Sequence, residues 1–259
     1  MLLAIDIGNS NIVLGVFERE QLTEHWRVAT RVDYTADELG VLLRGLFGGT
    51  RLRLEDVRHM VVSSVVPSLN QAVADMAVRQ LGIEPLVIGP GVRTGMQIRY
   101  DNPREVGADR IVNSVAAFTR YGGPAVVIDF GTATTFDAVG KNGDYLGGVI
   151  APGIRISMDA LFNRAAKLPR FELAIPPGLE GVIGKNTVES MQAGFVFGFA
   201  GQIEGIVGRM RDELGGDCRV IATGGLASLI AAHAHVIETV DENLTLDGLR
   251  LLHELNTAG

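Results

Sequence analysis

Apolar and polar positions alternate most regularly at the N-terminus, where residues 2 to 7, 11 to 17 and roughly 21 to 28 read as three strands. A turn at Gly8 and the polar connection Glu18-Arg19-Glu20 join them into an antiparallel meander. Thr35-Ala36-Asp37-Glu38 is a capping-box pattern, and it opens a helix through Leu39, Leu42, Leu43 and Leu46 that stops at Gly48-Gly49. Met60 to Val66 is a near-continuous apolar run of the kind a strand shows when both of its faces are covered. Pro67 and Ser68 then lead into a helix ending at Gly82, and Leu86-Val87-Ile88 reads as a short strand. The first half therefore predicts the order βββαβαβ.

The same scheme recurs downstream. Strands are expected at 124 to 129, 134 to 139 and 144 to 149, with a turn at Lys141-Asn142-Gly143-Asp144. A helix from the Ile150-Ala151-Pro152-Gly153 segment to about Lys167 follows, then an irregular stretch from Pro169 to Gly184. A long helix starts at Thr187, with Met191, Phe195, Phe199, Ile203 and Ile206 on its apolar side. Its small residues Ala193, Gly194, Gly198 and Gly201 suggest close packing against another helix, in the core or in a dimer. Arg219 to Gly225 reads as strand then glycine turn, 226 to 232 as a helix, and 246 to 256 as a last amphipathic helix.

Sliding the chain on itself by 123 positions lays Asp6 on Asp129, Gly8 on Gly131, Asn9 on Thr132 and Asn11 on Thr134. That is the mark of an internal duplication. In each copy a strand ends in aspartate, turns on glycine and continues through Asn, Ser or Thr. Such an aspartate needs a cation or strong donors beside it, the glycine lets backbone approach a ligand, and the polar side chains with free N–H groups can hold phosphate oxygens. A single copy is a weak signal, because a strand, a turn glycine and a capping acid give the same letters for purely structural reasons. The pair together points to a polyphosphate.

Composition narrows the class further. The chain has 259 residues, 47% hydrophobic and 20% charged, which suits two globular domains, placed at 1–116 and 117–259. A net charge of −7 with dispersed Lys and Arg gives no nucleic-acid footprint. One cysteine, Cys218, excludes an internal disulfide framework and fits a reducing compartment. No signal-like or membrane-spanning apolar run is found, so the expected location is cytoplasmic. Between the halves, residues 91 to 105 break the periodicity and lead into Gly107-Ala108-Asp109-Arg110 at a helix start. Composition favours an ordinary N-terminal acid there. Its place between a long irregular loop and the second hairpin favours a site.

Four blocks carry a family likeness that spans essentially the whole chain: Asp6-Ile7-Gly8-Asn9-Ser10-Asn11, Asn102 to Arg110, Asp129-Phe130-Gly131-Thr132-Ala133-Thr134-Thr135, and Gly147 to Gly153. The sequence resembles the type III pantothenate kinases of the actin, sugar kinase and Hsp70-like ATPase superfamily. The hairpins alone indicate the superfamily, and the Gly-Ala-Asp-Arg block makes the match specific. The resemblance implies an α/β fold of two ribonuclease H-like (actin-like ATPase) domains with mixed five-stranded sheets and ATP in the interdomain cleft. It implies ATP-dependent phosphorylation of pantothenate to 4'-phosphopantothenate, the first step to coenzyme A. Asp6, Ile7, Gly8, Asn9, Ser10, Asn11, Ile12 and Val13 would line the ATP loop, Asp6 facing Mg2+, with Thr132 touching phosphate from the other wall. Asp129 would bind a monovalent cation, K+ or NH4+. Tyr100, Gly107, Ala108, Asp109, Arg110 and Thr187 would form the pantothenate pocket, with Asp109 as proton acceptor. Residue type alone makes Thr187 a helix N-cap. A homodimer is implied as well. The competing readings are another small-molecule kinase or a phosphatase on the same fold, and a non-catalytic actin-like nucleotide-binding protein.

Overall fold

The computed structural model describes residues 1–165, 168–174 and 182–257. Two compact units emerge: Met1–Ala116 with the segment from Asn243 onward, and Ala117–Glu242.

The first unit is built on a five-stranded sheet. β1 (Leu2–Ile7), β2 (Asn11–Glu18) and β3 (Gln21–Ala29) form the expected meander, and β4 (His59–Ser64) and β5 (Leu86–Val87) extend the sheet in the order β3-β2-β1-β4-β5. β1 pairs antiparallel with β2 and parallel with β4. The parallel pair needs a crossover, which α1 (Ala36–Gly48) supplies before β4, as α2 (Pro67–Leu81) does before β5. The capping box that starts α1 is complete. The Thr35 amide donates to Glu38 Oε2 at 2.9 Å and the Glu38 amide donates to Thr35 Oγ1 at 3.2 Å, a pairing worth about 1 kcal/mol. α2 starts on Pro67 and ends on Gly82, whose φ of 67° is left-handed. Leu39, Leu43 and Phe47 of α1, and Leu69, Val73 and Met76 of α2, close the core over Leu3, Ile5, Leu14 and Val62.

The second unit repeats the plan with β6 (Ala125–Phe130), β7 (Ala133–Val139), β8 (Tyr145–Pro152), β9 (Arg219–Gly224) and β10 (Thr239–Val240), in the order β10-β9-β6-β7-β8. The strands correspond one to one with those of the first unit. α3 (Ala108–Tyr121) precedes this sheet, and α4 (Ile154–Arg164), α5 (Thr187–Glu213) and the short α6 (Ala227–Ala231) lie between β8 and β10. The expected end of α4 at Lys167 falls outside the described residues, as does 175–181 of the predicted irregular stretch. β10 has no counterpart in the sequence reading. Two residues are too few to show alternation.

The structure refines the duplication. Ile7 pairs with Ile12 across four turn residues, whereas Phe130 pairs with Thr134 across three. The Gly8 amide donates to the Asn11 carbonyl at 3.0 Å and the Gly131 amide to the Ala133 carbonyl at 3.1 Å. Asn11 therefore corresponds to Ala133, not to Thr134. The second turn is one residue shorter, and a fixed offset of the letters cannot reveal that deletion.

The last helix, α7 (Leu244–Thr257), packs on the first unit, whereas the sequence division ran the second domain through to 259. Its buried face carries Leu246, Leu249 and Leu252. Gly15 on β2 makes room for this face, because a Cβ there would lie 2.8 Å from Leu246 Cδ1. Gly248 in turn lets α7 approach α3, its own Cβ position being 2.3 Å from the Val112 carbonyl oxygen.

Candidate active site

Asp6 and Asp129 each end the central strand of their sheet, at equivalent positions. Both are half-buried, with residues before them fully covered. In the first unit Asn9 and Ser10 are exposed at the turn tip, between Gly8 and Asn11. In the second, Gly131 is exposed and Thr132 half-buried. Each hairpin thus brings its predicted residues together on one turn. A Cβ at Gly8 would come within 3.1 Å of the Asn11 carbonyl oxygen, a tight contact that the glycine avoids.

Asp129 sits in a cradle of its own. Gly224, at the end of the neighbouring β9, has φ +94°, and a Cβ there would stand 2.7 Å from Asp129 Oδ1 and 2.8 Å from the Phe130 carbonyl oxygen. Only glycine leaves that space open. A carboxylate oxygen beside a backbone carbonyl is a donor set suited to a hard cation, so the residues fit the predicted ion. No cluster of three or more His, Cys, Asp or Glu suited to a metal occurs among the described residues.

The predicted Gly107-Ala108-Asp109-Arg110 block forms the start of α3 in the first unit. The amide of Arg110 donates to Asp109 Oδ1 at 2.9 Å. Gly107 permits this posture, because a Cβ there would fall 2.5 Å from the same carboxylate oxygen. Burial pushes the Asp109 carboxyl above the ordinary aspartate value, and the hydrogen bond and charge of Arg110 only partly oppose the shift. Arg110 is itself buried. Tyr100 is half-buried in the irregular stretch before α3. That stretch is pinned at Arg93, whose amide donates to Asn256 Oδ1 at 3.0 Å, and at Pro103–Glu105, a 3-10 turn in which Asn102 Nδ2 donates to Glu105 Oε1 at 2.7 Å.

Thr187 does not cap α5. That role belongs to Asn186, whose side chain accepts the Glu189 amide at 3.0 Å. Thr187 is the first helical residue and lines a groove of about 730 Å³ with Leu161, Phe195, Gly198, Phe199 and Gln202. One side of α5 buries Val196, Ala200, Ile203 and Val207. The other carries Gly194, Gly198 and Gly201, where a Cβ would meet none of the described residues within 4 Å. Of the predicted small residues, the three glycines are exposed, whereas Ala193 is buried with the core side of the helix.

Comparison with known proteins decides what this arrangement belongs to. The family described as type III pantothenate kinase matches residues 2–209. The chain belongs to the type III pantothenate kinase family. A family member from Moorella thermoacetica is 60% identical over 257 residues, covering 99% of this chain and all of that protein. Another, from Myxococcus xanthus, is 57% identical with full coverage of both. Among solved structures, component A of (R)-2-hydroxyglutaryl-CoA dehydratase from Acidaminococcus fermentans superposes with a TM-score of 0.56 at 13% identity, over 96% of this chain and 94% of that one. At that identity the likeness speaks for the fold, the two-domain actin-like ATPase fold. No helix among the described residues of this pantothenate kinase family member is long and apolar enough to cross a membrane. Cys218 is buried, and burial raises its thiol pKa, which fits a packing role.

Proposed function

We infer that this chain phosphorylates pantothenate with ATP, giving 4'-phosphopantothenate for coenzyme A synthesis. The observation that carries the reading is family membership over the full length together with two hairpin turns of the same design, one per unit. Residues Asp6 to Val13 and Thr132 take the triphosphate through backbone N–H groups and short polar side chains. Asp6 faces the magnesium side, and Asp129 holds potassium or ammonium. Bound there, the ions offset charge between carboxylate and phosphate oxygens.

Pantothenate is met by Tyr100, Gly107 to Arg110 and Thr187. Its primary hydroxyl oxygen attacks the γ-phosphorus, the bond from that phosphorus to the β–γ bridging oxygen breaks, and ADP leaves. Asp109 takes the hydroxyl proton. The transition state is loose, so most of the acceleration comes from alignment and charge stabilisation, with the proton moving late. A carboxyl raised by burial has the higher proton affinity this task needs. Arg110 orients Asp109 or meets an anionic group of the substrate.

The enzyme acts as a cytoplasmic homodimer in this reading. Support for the dimer comes from the open glycine face of α5 and the apolar groove beside it. A coupled assay with pantothenate, ATP, magnesium and potassium tests the whole. ADP release that depends on pantothenate is expected. Turnover of a hexose or polyphosphate with none of pantothenate would replace the reading.

A further inference from the structure

Strand register identifies the equivalent exits from the two meanders. Asn11 pairs with Ala29 at the end of β3, and its counterpart Ala133 pairs with Pro152 at the end of β8. The next residues, Thr30 and Gly153, therefore occupy the same place in the two units, each beside the turn read above as phosphate-binding.

They hold those turns by different means. Thr30 uses two hydrogen bonds, its Oγ1 donating to the Gly8 carbonyl at 2.6 Å and its amide to the Ser10 carbonyl at 3.1 Å. Gly153 uses direct backbone packing. A Cβ there would lie 2.0 Å from the Thr132 carbonyl oxygen, 2.7 Å from the Thr132 carbonyl carbon and 2.9 Å from the Gly131 carbonyl oxygen. Its φ of −71° is open to any residue, so the requirement for glycine is one of space. Gly153 also cannot easily retreat. It caps α4, and its carbonyl accepts the Ser157 amide at 3.1 Å and the Ser157 hydroxyl at 2.8 Å.

We propose that Thr30 and Gly153 are positioning residues that fix the two turns in the shape that receives the ATP phosphates. The proposal rests on the reading of both turns as phosphate-binding. Backbone donors act on a phosphate only when aimed, and a displacement of about 1 Å can cost on the order of a hundredfold in rate. Removing the Thr30 hydroxyl frees the Gly8 carbonyl from its 2.6 Å bond and leaves Thr30 holding the first turn by its amide alone. A side chain at position 153 drives the Thr132 carbonyl away and reshapes the second.

The test compares Thr30→Val, Thr30→Ser and Gly153→Ala with the parent, reading kcat, both KM values, melting temperature and ATP affinity by calorimetry without pantothenate. Thr30→Val should raise KM for ATP and weaken ATP binding by about tenfold, keep KM for pantothenate within about twofold, and leave melting within a few degrees. Thr30→Ser, which keeps the hydroxyl, should return near the parent. Gly153→Ala should act in the same direction, and if it fails to fold the threonine pair still decides. Unchanged ATP affinity in Thr30→Val, equal losses for both substrates, or a Thr30→Ser no better than Thr30→Val would overturn the proposal. A parent that binds ATP but does not phosphorylate pantothenate would remove the substrate reading alone, and the ATP affinities of the variants would still judge the turns.

Discussion

The Asp109 carboxylate folds back to accept its own helix neighbour, Oδ1 lying 2.9 Å from the Arg110 amide, in a place where burial raises its pKa. The bond satisfies a backbone N–H in the first turn of the helix, a structural task, and the raised pKa is what a proton acceptor needs. Asp109→Asn separates the two, because asparagine also serves helix N-termini but takes no proton. Turnover should fall by about a hundredfold or more at saturating substrates. Near-parental turnover would remove Asp109 from the chemistry and turn attention to Glu105.

The same variant makes a stability prediction with a definite sign. A carboxyl whose folded pKa lies above its unfolded value of 3.8 contributes stability that is full below that value and lost as pH rises through the folded pKa. At neutral pH the charged Asp109 is thus a net cost, and Asp109→Asn should melt at or above the parent temperature. The acid limb of the parent pH–rate profile should sit above the ordinary aspartate range. A marked fall in melting temperature at pH 7 would show that the charged carboxylate stabilises the fold, against the direction of the shift.

Potassium dependence tests Asp129. With the ion removed, ATP use should weaken more than pantothenate use, and Asp129→Asn should lose the response to potassium. Equal rates in sodium and potassium buffers would count against the assignment. The cradle opposite Gly224 sharpens the test, since Gly224→Ala places a methyl 2.7 Å from Asp129 Oδ1 and should blunt the same response.

The rings of His59 on β4 and His253 on α7 have centroids 4.9 Å apart. Burial lowers the pKa of His253 below 6.5, the charge of His59 lowers it further, and only Glu254 opposes them. A group depressed in this way supports folding above its unfolded pKa, and the support is lost as pH falls through the folded value. Melting temperature should therefore drop on acidification below about pH 6.5, and His253→Gln should flatten that slope. Parallel curves for parent and variant would show that other groups govern it.

Gly198→Leu tests the dimer. A Cβ at Gly198 meets none of the described residues within 4 Å, so folding should be preserved while association is blocked. Light scattering should report a dimer for the parent and a shift toward monomer for the variant. A monomeric parent would end the idea.

Much of this architecture is legible in the letters because its signals are local. The Thr35–Glu38 box, Pro67, Gly82 and the Asp-x-Gly turns mark their elements within a few residues. The missing residue in the second turn, the true cap at Asn186 and the home of α7 are decided by register or by contacts far along the chain, such as Leu246 against Gly15. Thr30 has no motif around it at all. Its part emerges only once Ala29 and Pro152 are recognised as partners of equivalent residues.

The return of α7 to the first unit imposes an order on synthesis. Leu246, Leu249 and Leu252 belong to a core whose other walls are made before residue 117, so the whole of the second unit is translated while that core is incomplete. Burying a leucine is worth about 1.5–3 kcal/mol, and until α7 arrives the strands around Gly15 lack several such contributions. The face of the first sheet that α1 and α2 cover is complete before residue 117, while the surroundings of Gly15 wait for α7, so residues 117–242 form an insertion within the first unit.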